Sequence, residues 1–230
     1  MPGVALSLVL AGATLAPLVQ GGAVASPWRA VGLPQQTLPL TQFSAEVVQG
    51  REALRVQAAG SYGNLVHDWP ADGAAPLRLR WTWRLQQPNA QTDLRRKSGD
   101  DLPVKVCLSF RMPLSRVPFI ERQLLQLARS RTGQDLPAAT LCWVWAGGEA
   151  RGALIDNAFS RRVRYIVLRN QQDALGAWVE ESRDIAADFQ RAFGDESAEL
   201  PPLGAVIVGG DADNTDGQSV AHVSALRTGP

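Results

Sequence analysis

The sequence predicts a mainly β protein, folded as a two-sheet antiparallel β-sandwich with two peripheral helices. Three observations lead there. The run Leu77-Arg-Leu-Arg-Trp-Thr-Trp-Arg-Leu85 alternates without a break, with Leu77, Leu79, Trp81, Trp83 and Leu85 on one side and Arg78, Arg80, Thr82 and Arg84 on the other. Period-two alternation with bulky apolar residues on one side describes a half-buried strand. Many shorter runs of the same kind are separated by turn signals, which favours a sandwich. Only two stretches carry helical spacing.

In chain order, Glu46–Val48 and Ala53–Gln57 are strand candidates joined by Gln49-Gly50, which reads as a hairpin turn. The strand over 77–85 follows. Val104-Lys-Val-Cys-Leu-Ser-Phe110 and Thr140-Leu-Cys-Trp-Val-Trp-Ala146 alternate in the same way. Between them, Pro118–Ser130 is a basic amphipathic helix with Arg116, Arg122, Arg129 and Arg131 on or beside it. Such a helix either covers a sheet edge or contacts a membrane surface. Arg162–Arg169 and Ala177–Ser182 are further strands. Asp184–Gly194 is the second helix, with a capping Asp, apolar residues at 185, 189 and 193, and a terminal Gly. Leu203–Val208 and Ala221–Leu226 complete the set.

The first charged residue is Arg29. Ahead of it runs the apolar segment Val4–Val19, then Ala23-Val24-Ala25 before Ser26, the pattern of a secretory signal with a small-x-small cleavage site. Pro17, Gln20 and Gly21-Gly22 interrupt it too early for a membrane anchor, which needs about 20 unbroken apolar residues. The expected organisation is a signal peptide over 1–25, an extended lead-in over 26–40 and one sandwich domain over 41–230. Periplasmic or secreted localisation follows, with no stable membrane span in the mature chain. The net charge of +1 lacks the basic excess of a nucleic-acid-binding protein.

Five fragments carry a resemblance. In order they are Arg80-Trp-Thr-Trp-Arg84, Lys97-Ser-Gly-Asp-Asp101, Gly176-Ala-Trp-Val-Glu-Glu181, Arg191-Ala-Phe-Gly-Asp195 and Asp211-Ala-Asp-Asn-Thr215. Together they resemble an uncharacterised family of exported bacterial proteins, domain-of-unknown-function family 3047, over roughly residues 40 to 227. The resemblance implies a jelly-roll-like sandwich similar to galactose-binding or carbohydrate-binding modules, and no established activity.

The acidic run Gly209-Gly-Asp-Ala-Asp-Asn-Thr-Asp-Gly217 is the strongest chemical signal. Gly209-Gly210 is expected to end a strand and turn the chain tightly. If the strand continues instead, Asp211 and Asp213 point the same way. At about 7 Å their repulsion is about 2 kcal/mol at an effective dielectric of 20, so burial calls for a partner. Three readings stay open: a solvated turn, an Asp–Arg network, or a metal or ligand site with Asn214 fixing the turn. An EF-hand is excluded, because Asp216 and His222 stand where Gly and Glu are required. Asp100 and Asp101 form a second carboxylate pair, and two such pairs can serve glycosidic bond cleavage at suitable separation.

Arg80 and Arg84 could hold acidic sugars through bidentate contacts. Trp28, Trp69 and Trp178 are the tryptophans free to stack on a sugar. With His67 and His222 as the only histidines, a histidine-rich zinc site is excluded. No C-x-x-C, P-loop, G-x-S-x-G or G-x-G-x-x-G motif is present. Cys107 and Cys142 both sit away from the main apolar faces, so they form either a disulfide or two buried thiols. The functional expectation is an exported binding module for glycan or another cell-envelope polymer. A carboxylate-dependent hydrolase or lyase and a structural envelope protein are the alternatives. No cofactor is required, with Ca²⁺ at Asp211 and Asp213 as the one candidate.

Overall fold

A computed structural model describes residues 14–229. The chain forms fourteen strands: β1 (Val19–Gln20), β2 (Ala23–Val24), β3 (Arg29–Val31), β4 (Gln42–Val48), β5 (Arg51–Ala59), β6 (Tyr62–Asp68), β7 (Arg78–Gln87), β8 (Val104–Phe110), β9 (Ala139–Trp145), β10 (Leu154–Asp156), β11 (Val163–Arg169), β12 (Val179–Asp184), β13 (Leu203–Asp211) and β14 (Gln218–Gly229). Among the described residues two α-helices accompany them, α1 (Phe119–Thr132) and α2 (Ile185–Phe193), with two short 3-10 turns at Lys97–Gly99 and Leu114–Arg116.

Two sheets make the sandwich, of order β10-β11-β9-β8-β13-β6-β3 and β12-β7-β14-β5-β4. A two-stranded ribbon, β1-β2, stands apart from both. All pairings between these strands are antiparallel except β9–β11, which is parallel because the chain crosses over and returns through β10 at the sheet edge; an isolated parallel bridge also joins Leu40 to Tyr62. The sandwich is therefore mixed at one edge, a departure from the all-antiparallel expectation.

The core lies where the two sheets face each other. Leu79, Trp81, Trp83 and Leu85 of β7 meet Trp143 and Trp145 of β9, with Trp81–Trp143 and Trp83–Trp145 centroids 5.4 and 5.7 Å apart. Buried aromatic pairs of this kind add about 0.5–1.5 kcal/mol beyond area burial. The Trp143 indole donates to Asp188 of α2 at 2.7 Å, and Arg183 holds the same carboxylate in a two-pronged contact. Asp184 caps α2, accepting from the Ala187 amide at 2.9 Å, as the sequence indicates. The Gln49-Gly50 hairpin also forms, both residues taking positive φ.

The N-terminal stretch departs from expectation. Residues 4–13 of the apolar segment lie outside the described residues. From Leu15 onward the chain is packed: Leu18 and Ala25 join the core, Val19 pairs with Val24, and the Ala16 amide donates to Nε2 of His67. Cleavage after Ala25, the point expected from the sequence, would remove this packed segment. The lead-in is likewise not free of the sheet. Arg29–Val31 pairs with β6 as an edge strand, and Trp28 is buried. Trp69 is buried too, so neither tryptophan is free to stack on a ligand.

Helix α1 is mostly exposed. Only Leu125 is buried, while Phe119, Ile120, Leu124 and Leu127 are exposed. Glu121 near Arg162 (3.6 Å) and Arg129 donating to the Leu136 carbonyl tether it. Among the described residues, no helix is long and apolar enough to cross a membrane.

Candidate functional site

The outer face of the seven-stranded sheet carries the chemistry. Alternation sends Lys105, Cys107 and Ser109 of β8 outward, while Val104, Val106 and Leu108 go to the core. Register aligns Lys105 with Gly209 of β13, and Gly209 with Asn64 of β6. One step along, Asp211 is opposite Tyr62. Tyr165 of β11 lies beside Cys142, which is directly opposite Cys107. These two cysteines form a disulfide in the floor of the face, with Cα atoms 4.0 Å apart. α1 stands over the far end of the same face, and a cleft of about 1470 Å³ lies between them.

The two glycines do not end the strand. β13 runs straight through Gly209 and Gly210 to Asp211, and neither takes a positive φ. They are there for space. A Cβ on Gly209 would lie 2.1 Å from Oδ1 of Asn64 and 2.9 Å from Cε of Lys105. Its absence lets the lysine side chain cross β13. On the inner side, a Cβ on Gly210 would meet Val56 at 2.8 Å.

The acidic runs at Asp100-Asp101 and Asp211–Asp216 dock on one another, and each carboxylate has a distinct place. Asp101 is fully buried. It accepts from the amides of Asn214 (3.0 Å) and Thr215 (2.9 Å), from the Thr215 hydroxyl (2.5 Å) and from the Asn214 side chain (3.2 Å). It is the clasp that closes the loop after β13. Asp211 accepts from the Leu102 amide at 3.0 Å with one oxygen and from the Lys105 ammonium at 3.1 Å with the other. Asn214 also donates to the Asp100 carbonyl.

Asp100 points the other way, into the cleft. One oxygen accepts from Asn157, whose amide also donates to the Tyr165 hydroxyl at 2.8 Å; the other oxygen is buried without a partner. Among the described residues, Oδ1 of Asp213 and Oδ1 of Asn64 are buried without partners as well.

Electrostatics follow from this crowding. Burial pushes the Asp100 carboxyl up to about 7, helped by Asp211 and Asp101 and opposed by Lys105. Burial likewise raises Asp211 to about 6 despite its lysine, with Asp101 and Asp213 adding to the rise. Asp213 is raised by burial too. For Lys105, burial works against the ammonium, but Asp211 outweighs it together with Tyr62 and Tyr165, so the lysine stays charged. Its ammonium also lies 4.9 Å from the centre of the Tyr62 ring. Burial raises the Tyr165 hydroxyl.

Carboxylate oxygens of Asp101, Asp211 and Asp213 lie within 4.8 Å of one another, the spacing of a cation site. The fit to Ca²⁺ is poor. The Asp101 carboxylate is committed to the loop, and an ammonium already neutralises Asp211. The partner expected for Asp211 is thus a lysine, not an arginine.

The structure brings together Asp100, Asp101, Asp211, Asp213 and Asn214. It does not bring Arg80, Arg84 or Trp178 to them. The β7 arginines point away from the Trp81/Trp83 face, so they lie on the outer surface of the other sheet, on the opposite side of the sandwich. There Arg84 donates to the Gly176 carbonyl at 2.7 Å, and Trp178 packs between Arg51 and the buried His222. His222 in turn contacts Glu46 at 2.9 Å.

Sequence reasoning missed Lys105, Tyr62, Asn64, Asn157 and Tyr165. Lys105 had a signal, being the one charge in an otherwise uncharged strand.

A profile of the family described as protein of unknown function (DUF3047) matches residues 26–227. The chain belongs to that family. No curated protein matches it. Of the five fragments that resemble DUF3047, two build the acidic end of the cleft. The other three serve packing: Trp81 and Trp83 fill the core, Glu181 accepts from the Trp83 indole and from Arg169, and Asp195 pairs with Arg164.

Proposed function

We propose that this protein is an exported binding module of the cell envelope and that the cleft on its seven-stranded sheet binds glycan. One observation carries the reading. Asp100 Oδ1, Asp213 Oδ1 and Asn64 Oδ1 are buried acceptors without partners, and all three residues line one cleft. A buried acceptor left unpaired costs about 1–3 kcal/mol, and a ligand rich in hydroxyl or amine donors removes that cost. The cleft exceeds the roughly 300–1,000 Å³ of a small-molecule site, which suits a chain of linked sugars. Tyr62 and the exposed Phe159 are its aromatic surfaces, a role the tryptophans do not fill.

Glycan-array binding by the folded protein tests the reading. Envelope polysaccharides should be retained, and Asn64→Ala should weaken them. An array without hits for protein shown to be folded would overturn it.

A second reading is favoured by one feature. Burial pushes the Asp100 carboxyl up to about 7, and Asp213 lines the same cleft, a pair of carboxyls that can divide acid and base roles in glycosidic bond cleavage. Release of new reducing ends from a bound polysaccharide, abolished in Asp100→Asn, would establish it. Unchanged polymer after prolonged incubation would leave the protein a binder.

A further inference from the structure

The acidic end of the cleft is short of positive charge as well as of donors. Asp100, Asp101, Asp211 and Asp213 gather there, and among the described residues Lys105 is the ammonium paired with them, while that of Lys97 lies over Phe159. Asp100 is only 3 % exposed, yet one of its oxygens has no partner.

The arginines of the cleft do not supply the missing charge. Arg111 donates to the carbonyls of Leu203 and Trp69, at the opposite end of β13 from Asp211. Arg29 is bound to Asp68, Arg162 to Glu196, Arg161 to Asp156 and Arg129 to Asp135. Nine residues of strand at about 3.3 Å each separate the two ends, well beyond the Debye length of about 8 Å at physiological salt.

Neutral hydroxyls would satisfy the unpaired acceptors but leave the charge excess in place. An ammonium would satisfy both. Lys105 already shows what that end accommodates, with its ammonium against a carboxylate and near the Tyr62 ring.

Building on the glycan reading, we infer that the ligand is an amino sugar polymer with free amino groups, and that an ammonium of the ligand sits between Asp100, Asp213 and Asn64. Each of these three residues offers it an unpaired acceptor at the cleft.

Isothermal titration with two oligomers of one backbone tests this: a glucosamine tetramer with free amines and its fully N-acetylated counterpart. A charge-assisted hydrogen bond contributes about 1.5–3 kcal/mol, so the free amine should bind at least about tenfold more tightly. Raised salt should narrow the gap, and Asp213→Asn should narrow it too, by weakening the free-amine oligomer. The wild-type comparison stands alone if the variant fails to fold. Equal binding of the two oligomers would overturn the amine inference and leave the glycan reading intact. Failure of both to bind would also overturn it, with array binding then judging the glycan reading separately. Binding of CaCl₂ that blocks the amine oligomer would overturn it in favour of a metal site.

Discussion

Lys105 reaches across β13 to place its ammonium 3.1 Å from Oδ2 of Asp211, passing over the position where any residue but glycine would carry a Cβ. Both partners are nearly inaccessible to solvent, at 7 % and 5 % side-chain exposure. A buried ion pair is costly to assemble and costlier to break. Lys105→Met should therefore leave Asp211 as an uncompensated carboxyl and destabilise the fold by roughly 3–5 kcal/mol. The double variant Lys105→Met/Asp211→Asn should recover much of that loss. Chemical denaturation of the three proteins gives the coupling energy, and additive losses would contradict the pairing.

Gly209→Ala tests the same relationship through space instead of charge. The new methyl collides with Asn64 and Lys105, which belong to the cleft face. Expected is a lower melting temperature together with weakened ligand binding. A neutral substitution would mean that the lysine has another route to Asp211.

The raised carboxyls set a pH dependence whose sign is unusual for acids. An unfolded aspartate titrates near 3.8, whereas Asp211 and Asp100 in the fold titrate near 6 and 7. Between about pH 4 and pH 7 the folded state thus holds protons that the unfolded state has released. By linkage these two groups favour folding at low pH, lose that contribution as pH rises through the window, and add no further slope above it. Asp100→Asn should accordingly stabilise more at pH 8 than at pH 5, read as the difference in melting temperature from wild type. A shift equal at both pH values would show that Asp100 titrates normally.

The floor disulfide closes a sequence separation of 35 residues, for which the chain-entropy model gives roughly 3–4 kcal/mol. Intact protein should show no free thiol under denaturing, non-reducing conditions, and reduction should lower its stability by about that amount. Two titratable thiols in the unreduced protein would refute the bridge.

Burial of Leu18 and Ala25, and the Ala16 bond to His67, make the segment before Ser26 part of the folded body. A chain beginning at Ser26 loses one buried leucine, about 1.5–3 kcal/mol, and hydrogen bonds of about 1 kcal/mol each. It should be less stable than a chain beginning at Thr14 by roughly 3 kcal/mol. N-terminal sequencing of exported protein should find the mature end before Leu15. A mature start at Ser26 with undiminished stability would mean that the ribbon is dispensable.

Strands were legible where the alternation pairs large apolar residues with charges, as in β7 and β8. β6 was not, because its core-facing positions include Gly63 and His67 while its cleft-facing ones include Tyr62 and Val66, so hydrophobicity does not alternate. The acidic runs were legible as a chemical signal. Their partner was not, since Lys105 meets Asp211 through cross-strand register, which no local spacing encodes. Alternation also says which residues share a face without saying which face of the sandwich is open. That is why Arg80, Arg84 and Trp178 were grouped with aspartates that lie on the far side. Gly209-Gly210 looked like a turn because glycine pairs serve turns more often than they clear a path for a neighbouring side chain.

The two aspartates that sequence spacing treats alike, Asp101 and Asp213, should separate cleanly on mutation. Asp101 holds the Asn214–Thr215 turn through bonds to two backbone amides, the Thr215 hydroxyl and the Asn214 side chain, all from a fully buried position. Asp101→Ala leaves those donors unpaired, at about 1–3 kcal/mol for each one that stays buried. Loss of several kcal/mol, or failure to fold, is expected, and Asp101→Asn should be nearly as damaging because its amide nitrogen meets donors. Asp213 is half-buried, and the oxygen that is fully enclosed has no partner in the fold. Asp213→Ala removes charge repulsion along with an unsatisfied acceptor, so stability should be unchanged or slightly higher while ligand binding is lost. Equal destabilisation by the two alanine variants would mean that Asp213 also holds the loop, and the division of the acidic run into clasp and ligand contact would fail.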